Sequence, residues 1–364
     1  MKFTKNLVNL TKLFLKNQII IKNYIIFLLF YFTLCFPIQN SNKEFVHLII
    51  DAGSSGTRFC PYKINYSKDQ CSLKELQEKC ITPPSKDGLD SLSKQEIYEV
   101  LDKGFESIFL QYKTVHYVSL LGTGGFRKLS AEQKKEKLES ISEYFFKIPI
   151  HSNIKFISGE EESYFAWKSI EVLYNSKSHT ILETGGATIQ IAIGKNHFKY
   201  ISLPYGINSV YQQSIQFKEF AENCRYGLRL NPQNYKFCKD FIKEKYYQSK
   251  EFIDFITLNK EDLITTKMYS SGTPWYVIFS QTKSKNLTPT QLQEQGEKIC
   301  SYSKEDLLKK GIQEKYIQSL CYLYYYHSAQ LESIGTPMIY KGIQSWTIGA
   351  SISQKAIPYC KEIN

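Results

Sequence analysis

Two short runs of the same kind constrain this chain more than anything else in it. The first is Ile49-Ile50-Asp51-Ala52-Gly53-Ser54-Ser55-Gly56-Thr57-Arg58. The apolar stretch from Phe45 to Ile50 reads as a central strand that ends in a single carboxylate. Gly53 and Gly56 let the backbone turn tightly and approach a ligand, so that its N–H groups point inward and form an anion cradle. Ser54 and Ser55 add hydroxyl donors, and Asp51 can hold a metal ion directly or through water. The second run, Ile181-Leu182-Glu183-Thr184-Gly185-Gly186-Ala187-Thr188-Ile189-Gln190-Ile191, repeats the pattern of strand, carboxylate, one residue, glycine, turn and strand. Ile189, Ile191 and Ile193 alternate with Thr188 and Gln190, so a period of two puts the isoleucines on one face and the polar pair on the other. Two facing acidic-glycine hairpins predict two similar lobes that grip phosphates between them.

That arrangement resembles the actin, sugar-kinase and heat-shock-chaperone superfamily. The resemblance implies an α/β fold of two ribonuclease-H-like lobes with the active site in the cleft between them. Length agrees: 364 residues exceed one typical core and predict about two domains. An aromatic content of 15% supplies a large core and excludes a disordered chain.

The first 44 residues stand apart from that core. Lys2, Lys5, Lys12, Lys16 and Lys22 occur with no acid before Glu44, and Tyr24 to Ile38 is almost wholly apolar. A basic flank followed by an apolar run is the layout of a secretory signal or signal-anchor. The apolar run is short of the roughly 17–25 residues of a full span. The long basic region and the lack of a small-x-small cleavage site favour an uncleaved anchor over a cleaved signal. Either way the positive-inside rule puts the rest of the chain in a lumen or outside. The net charge of +11 is partly this segment's, and the remaining basic residues are dispersed with no nucleic-acid motif, so DNA and RNA binding are excluded while anionic substrates remain compatible.

Cysteine usage points to the same compartment. Cys35 lies in the apolar run, which leaves Cys60, Cys71, Cys80, Cys224, Cys238, Cys300, Cys321 and Cys360. An even set beyond a targeting segment predicts disulfides, with the pairing left open. No C-x-x-C or H-E-x-x-H pattern occurs, which argues against a zinc site. Asn65-Tyr66-Ser67 and Asn286-Leu287-Thr288 have the form of glycosylation acceptors.

Two further stretches carry chemistry. Thr114 to Leu121 reads as a buried strand that empties into Gly122-Thr123-Gly124-Gly125-Phe126-Arg127. Thr123 and Arg127 are either cleft residues or parts of a plain strand-to-helix turn with a solvent arginine. Next comes Ile157-Ser158-Gly159-Glu160-Glu161-Glu162-Ser163-Tyr164-Phe165-Ala166-Trp167. Ala166, Ile170 and Leu173 recur at helical spacing, so a helix begins here. Ser158 with Glu161 makes a capping box, and Glu160 suits the positive end of the helix dipole. Local structure therefore has a use for two of the three glutamates and none for Glu162. A carboxylate beside a terminal phosphate is what general-base activation of water requires.

With these residues in hand the chain resembles the apyrase family, the nucleoside triphosphate diphosphohydrolases. Five family regions occur in order: Asp51 to Arg58, Gly122 to Arg127, Ile157 to Trp167, Glu183 to Gln190, and Trp346-Thr347-Ile348-Gly349-Ala350. Tyr205-Gly206 and the pair Cys300 and Cys321 also look familial. The resemblance implies hydrolysis of the terminal phosphates of nucleoside di- or triphosphates, with a Ca²⁺ or Mg²⁺ ion held through water by Asp51 and Glu183. It implies phosphates cradled by Gly53, Ser54, Ser55, Gly56, Thr57, Arg58, Gly185, Gly186 and Ala187, assisted by Thr123 and Arg127. Glu162 would be the base for a water positioned by Thr188 and Gln190. Trp275 and the tyrosine run around Tyr324 are the candidates for stacking on the nucleobase. Three features depart from the family pattern: Glu183-Thr184 and Thr188-Ile189 in a region that usually reads D-L-G-G-A-S-T-Q, Ser163 at a glycine position, and Gly122 and Gly124 where alanines are usual.

Expected domains are 1–44 as the targeting segment, 45–157 as lobe I, 158–335 as lobe II, and 336–364 as a C-terminal return to lobe I. The return is motivated by Trp346 to Ala350, which reads as a strand-to-glycine turn that would pack beside the first hairpin. A sugar kinase or chaperone ATPase would share both hairpins but not the glutamate region. The alternatives are an exopolyphosphatase-like hydrolase and a weakly active or non-catalytic nucleotide binder. Nothing in the sequence sets the oligomeric state.

Overall fold

The computed structural model describes residues 43–67, 70–75, 80–85, 87–194, 197–227 and 229–353. Of the expected targeting segment 1–44, residues 1–42 fall outside them and Lys43 and Glu44 already belong to the first strand; no helix among the described residues is long and apolar enough to cross a membrane.

The first sheet has the order β3-β2-β1-β4-β5, built from β1 (Lys43–Gly53), β2 (Gly56–Ser67), β3 (Gln70–Glu75), β4 (Tyr117–Gly122) and β5 (His151–Phe156). β1 pairs in parallel with β4 from His47↔Tyr117 to Ala52↔Gly122, and β4 with β5 from Tyr117↔His151 to Gly122↔Phe156. Parallel neighbours need crossovers. These are α1 (Lys94–Phe109) before β4 and, after the short α2 (Gly124–Arg127), α3 (Ala131–Phe146) before β5. α1 and α3 each start at a capping box, Ser93 with Glu96 and Ser130 with Gln133. Ile97, Val100, Leu101, Phe105 and Ile108 form the buried stripe of α1. β1 is apolar on both faces because both are covered. Leu48, Ile50 and Ala52 pack with α1 and α3, while Phe45 and Ile49 face the opposite way.

The second sheet runs β10-β11-β9-β6-β7-β8. β6 (His179–Thr184), β7 (Ile189–Gly194) and β8 (Phe198–Leu203) form an antiparallel meander. β9 (Lys267–Ser271) is parallel to β6, β11 (Ile339–Ile343) is parallel to β9, and β10 (Asn286–Leu287) closes the edge. The helices of this half are α4 (Gly159–Tyr174), α5 (Ile207–Ser214), α6 (Lys218–Asn223), α7 (Pro232–Tyr246), α8 (Lys250–Leu258), α9 (Lys260–Thr265), α10 (Thr273–Thr282), α11 (Pro289–Ser301), α12 (Lys304–Lys309) and α13 (Glu314–Ile334). The expected alternation in β7 is present: Ile189, Ile191 and Ile193 join the core beside α7 and α13, whereas Ala192 turns to the other face. Two buried tyrosines of α13 donate to backbone, Tyr322 to the Ile207 carbonyl at 2.7 Å and Tyr325 to the Cys224 carbonyl at 2.6 Å, whereas the Tyr324 hydroxyl has no partner among the described residues. The fold is the two-lobed α/β fold that the paired hairpins predicted.

α4 and the C-terminal segment tie the two halves together. Phe165, Ala166 and Ile170 pack with Phe45, Ile49 and Tyr62 of the first half and with Ile181 and Ala192 of the second. The expected return to lobe I does not begin at 336. Ile339–Ile343 is β11 of the second sheet, where the ladders to β9 and β10 use its backbone groups. Only after it does the chain cross to the first half. There Trp346 stacks on Phe165, Thr347 Oγ1 meets Tyr62 OH at 2.7 Å, and the Ser351 carbonyl accepts from His47 Nδ1 at 3.0 Å. α14 (Thr347–Ala350) is held by Ser169, whose Oγ donates to the Trp346 carbonyl and accepts from Gly349 N.

Among the described residues three disulfides are present, Cys60–Cys80, Cys224–Cys238 and Cys300–Cys321. The side chain of Cys71, and Cys360, lie outside the described residues.

Candidate active site

Asp51 stands at the end of β1 and Glu183 at the end of β6, both buried at the bottom of one cavity of about 310 Å³. The turn after Asp51 is tight: a Cβ on Gly53 would stand 3.3 Å from the Gly56 carbonyl, and Gly56 takes φ +135°, a conformation that favours glycine. Arg58 returns from β2 and donates Nη1 to Asp51 Oδ2 at 2.9 Å. Burial pushes the Asp51 carboxyl up and the Arg58 guanidinium opposes it.

The second hairpin is closed by Gly185 N donating to the Thr188 carbonyl at 2.9 Å. Its outward carbonyls are capped by the first turn of α5. Gly206 N donates to Ala187 O, Ile207 N to Gly185 O, and Asn208 N to Gly186 O. This contact explains Gly206, since a Cβ there would lie 2.3 Å from the Ala187 backbone.

Glu162 reaches the same cavity from the first turn of α4 and is only 4% exposed. Its two neighbours have structural partners. Ser158 Oγ accepts from Glu161 N while Glu161 returns to Ser158 N and pairs with Lys155, and Glu160 accepts from Tyr200 OH at 3.2 Å. Around Glu162 the polar groups converge. Arg127 Nη2 donates to Glu162 Oε2 at 2.8 Å and to Thr188 Oγ1 at 3.0 Å. Gln190 Nε2 lies 2.9 Å from Thr188 Oγ1, 3.3 Å from Glu162 Oε2 and 3.1 Å from Ser202 Oγ. Ser163 fits its buried position by donating Oγ to the Gly159 carbonyl at 2.6 Å. Gly122 fits where an alanine would not, because its Cβ would fall 2.6 Å from Phe156 and 2.7 Å from Phe126, whose rings stack at 4.2 Å.

Three carboxylates thus share one buried space with two guanidinium groups. Burial raises Glu162, opposed by Arg127. Glu183 is pushed well up by burial and then by Glu162 and Asp51, and its Oε2 has no hydrogen-bond partner among the described residues. An acid in that position calls for a cation. Among the described residues no three His, Cys, Asp or Glu side chains form a direct metal cage. The donor set fits a hydrated divalent ion that takes other ligands from water and phosphate oxygens.

Gly53, Ser54, Ser55, Arg58, Thr123, Gly185, Gly186 and Ala187 line the cavity as expected of phosphate-cradling positions. Gly56 and Thr57 do not, since the turn carries them past it and the Thr57 hydroxyl is buried. Arg127 also lies outside the wall, drawn behind it by Glu162 and Thr188. Trp275 and Tyr324, expected as stacking residues, are fully buried in the core of the second half, Trp275 with its ring 3.9 Å from that of His327. Packing claims these large rings before any ligand can. The apolar wall of the cavity is instead Pro274, Val277, Tyr316 and Leu323, with Asn208, Thr273 and Trp346 also facing it. Gly272-Thr273-Pro274 carried a local signal, a strand-to-helix turn; the others are brought in by tertiary contacts alone.

Fold and site together define a two-lobed α/β protein whose interlobe cavity is lined by acidic-glycine hairpins. Solved structures sharing the fold include the Ppx/GppA family member of Aquifex aeolicus, with a TM-score of 0.60 at 15% identity, covering 87% of this chain and 99% of that one. An exopolyphosphatase of Cytophaga hutchinsonii matches with a TM-score of 0.58 at 14% identity over 84% and 96% of the two chains. A nucleoside triphosphate hydrolase of Neospora caninum matches with a TM-score of 0.50 at 11% identity over 86% and 92%. The chain belongs to the GDA1/CD39 (nucleoside phosphatase) family, whose model matches residues 37–221. It is 30% identical over 172 residues to ectonucleoside triphosphate diphosphohydrolase 5 of Gallus gallus, an alignment covering 43% of this chain and 39% of the relative. Over 161 residues it is 26% identical to the guanosine-diphosphatase of Schizosaccharomyces pombe, covering 40% and 28%. The matched stretch therefore spans well under half the length of either curated relative.

Proposed function

We propose that this protein hydrolyses the terminal phosphate of nucleoside di- and triphosphates by in-line attack of water. The observation that carries the reading is that Glu162 and Thr188 line the same cavity as Asp51 and Glu183, with the buried Gln190 hydrogen-bonded to both Glu162 and Thr188. Glu162 Oε2 would accept the proton of the attacking water. Arg127 orients that carboxylate and opposes the rise that burial imposes on its pKa, and Thr188, with Gln190 bonded to it, would position the water. The backbone and hydroxyls of the two hairpins bind the phosphates, and the wall of Val277, Tyr316 and Leu323 receives the nucleoside. Asp51 and Glu183 would hold a Ca²⁺ or Mg²⁺ ion through water, which when bound neutralises phosphate charge. No phosphoenzyme is required.

Glu183 reaches one methylene further than an aspartate would, which bears on the choice of ion. Disulfides and the basic-apolar N-terminus support a catalytic part in the secretory lumen or outside, anchored through the N-terminal segment if it is retained. The test is phosphate release from a panel of nucleoside tri- and diphosphates and polyphosphate, with Ca²⁺, Mg²⁺ or EDTA. Turnover of polyphosphate with none of any nucleotide would overturn the reading.

A further inference from the structure

We infer that Asn208 is a phosphate-binding residue, a side-chain donor from the second half of the molecule that closes on the same phosphate group as Ser54 and Ser55 from the first. The inference rests on the nucleotide-hydrolysing reading above and adds to it a residue outside both hairpins.

Gly186 shows where the three donors meet. The point at which a Cβ would stand on Gly186 lies 3.1 Å from Asn208 Nδ2, 3.2 Å from Ser54 Oγ and 3.3 Å from Ser55 Oγ. All four residues line the cavity. The amide and the two hydroxyls therefore converge on one patch of the cavity wall beside Gly186, and an anionic oxygen in contact with that patch gains most from such donors. With no Cβ on Gly186, a ligand atom can come into contact with the backbone between these donors.

Asn208 is also held ready. The N–H groups of Ile207, Asn208 and Ser209 are used on the carbonyls of Gly185 and Gly186, so the backbone of this turn has no donor left for a ligand. Those bonds lock the turn to the hairpin. Ser209 Oγ accepts from Lys128 Nζ at 2.8 Å, and Lys128 follows α2 of the first half, so the same turn is tied across the cleft. The Asn208 side chain is exposed to the cavity, and its amide has no hydrogen-bond partner among the described residues. Arg58 and Arg127, the nearby cations, are engaged with Asp51 and Glu162. A neutral amide can bind phosphate oxygen without displacing either pair and without competing for a cation between Asp51 and Glu183.

Three variants test this: Asn208→Ala, Asn208→Ser and Asn208→Asp. Calorimetric titrations use ADP with Mg²⁺ and, separately, orthophosphate; turnover is measured with the best nucleotide of the panel. Asn208→Ala is expected to weaken ADP and orthophosphate binding about tenfold or more, the scale of one hydrogen bond to a charged group. KM should rise with kcat within about threefold, and the unfolding temperature should stay that of the unaltered protein because the side chain is exposed. Asn208→Asp should bind more weakly still, since its carboxylate repels phosphate, and Asn208→Ser should recover part of the loss. Unchanged ADP and orthophosphate affinity in Asn208→Ala overturns the inference, as does a loss confined to kcat. An unaltered protein that releases no phosphate from any nucleotide, while Asn208→Ala still weakens ADP binding, removes the hydrolytic reading and leaves Asn208 as an anion-site residue. Absence of ADP and orthophosphate binding in the unaltered protein removes both.

Discussion

At the scale of single residues the site is a balance of buried charges. Burial raises the Glu162 carboxyl, which works against a base because a neutral carboxyl accepts no proton from water; Arg127 at 2.8 Å opposes that rise, with the balance still upward. Glu162→Gln should lower turnover by about 10²–10⁴-fold while ADP binding persists, measured by phosphate release and calorimetry. If Glu160→Gln or Glu161→Gln is the crippling change instead, the base has been misassigned. Arg127 lowers the pKa of Glu162, so its removal raises it. In Arg127→Ala the acid limb of the kcat/KM profile should therefore move to higher pH; a limb that stays in place separates Arg127 from the base. Glu183→Ala should abolish most metal-dependent turnover, whereas Glu183→Asp, which keeps the carboxylate and shortens its arm, should be tolerated. Full activity of the alanine variant would remove Glu183 from the metal site.

At the scale of elements, the C-terminal segment is a strap that docks on α4 through one glycine. A Cβ on Gly349 would lie 2.1 Å from the Phe165 carbonyl and 2.9 Å from Ser169 N. Backbone cannot give way as a flexible side chain can, so Gly349→Ala should destabilise the protein by about 1–3 kcal/mol, the range of core overpacking. Thermal unfolding measures this, and an unchanged midpoint would mean that the strap adds little. The first turn of α5 is a second such junction, where Gly206 lets the helix cap the second hairpin. α4 serves two purposes at once: its first turn carries Glu162, and its middle supplies the packing between the halves.

At the scale of the whole molecule, acid should loosen it. His47 is fully buried and neutral: Nδ1–H donates to the Ser351 carbonyl and Nε2 accepts from Ser119, and burial lowers its pKa to about 4. The unfolded chain binds this proton near pH 6.5, so the neutral histidine's contribution is complete above that value and is lost as pH falls towards 4. The loss from His47 reaches about 3 kcal/mol at pH 4. His327, buried against Trp275 and lowered to about 3, acts in the same direction. Glu162 and Glu183, raised in the folded state, act in the opposite one. The unfolding temperature of His47→Asn should be lower at pH 7.5 and should fall less steeply between pH 6.5 and 4; an unaltered slope would show that His47 does not govern it. Reduction of the disulfides should lower stability as well, with the loop of Cys224–Cys238 alone worth about 3 kcal/mol in the chain-entropy account.

Local chemistry made much of this legible in the sequence. The two hairpins, the capping box of Ser158 with Glu161, and the turning of Glu162 rather than its neighbours into the cavity all depend on residues within a few positions of one another, where spacing fixes geometry. The alternation of β7 is of the same kind. Tertiary structure alone decided the rest. It engaged Arg58 with Asp51 and drew Arg127 behind Thr188. It buried Trp275 and Tyr324, which composition could not distinguish from surface aromatics. It gave β11 to the second sheet, paired the described cysteines and brought Asn208 to within reach of Ser54 and Ser55. Each of these outcomes depends on which surfaces the compact chain brings together over long separations, and sequence spacing carries no record of that choice.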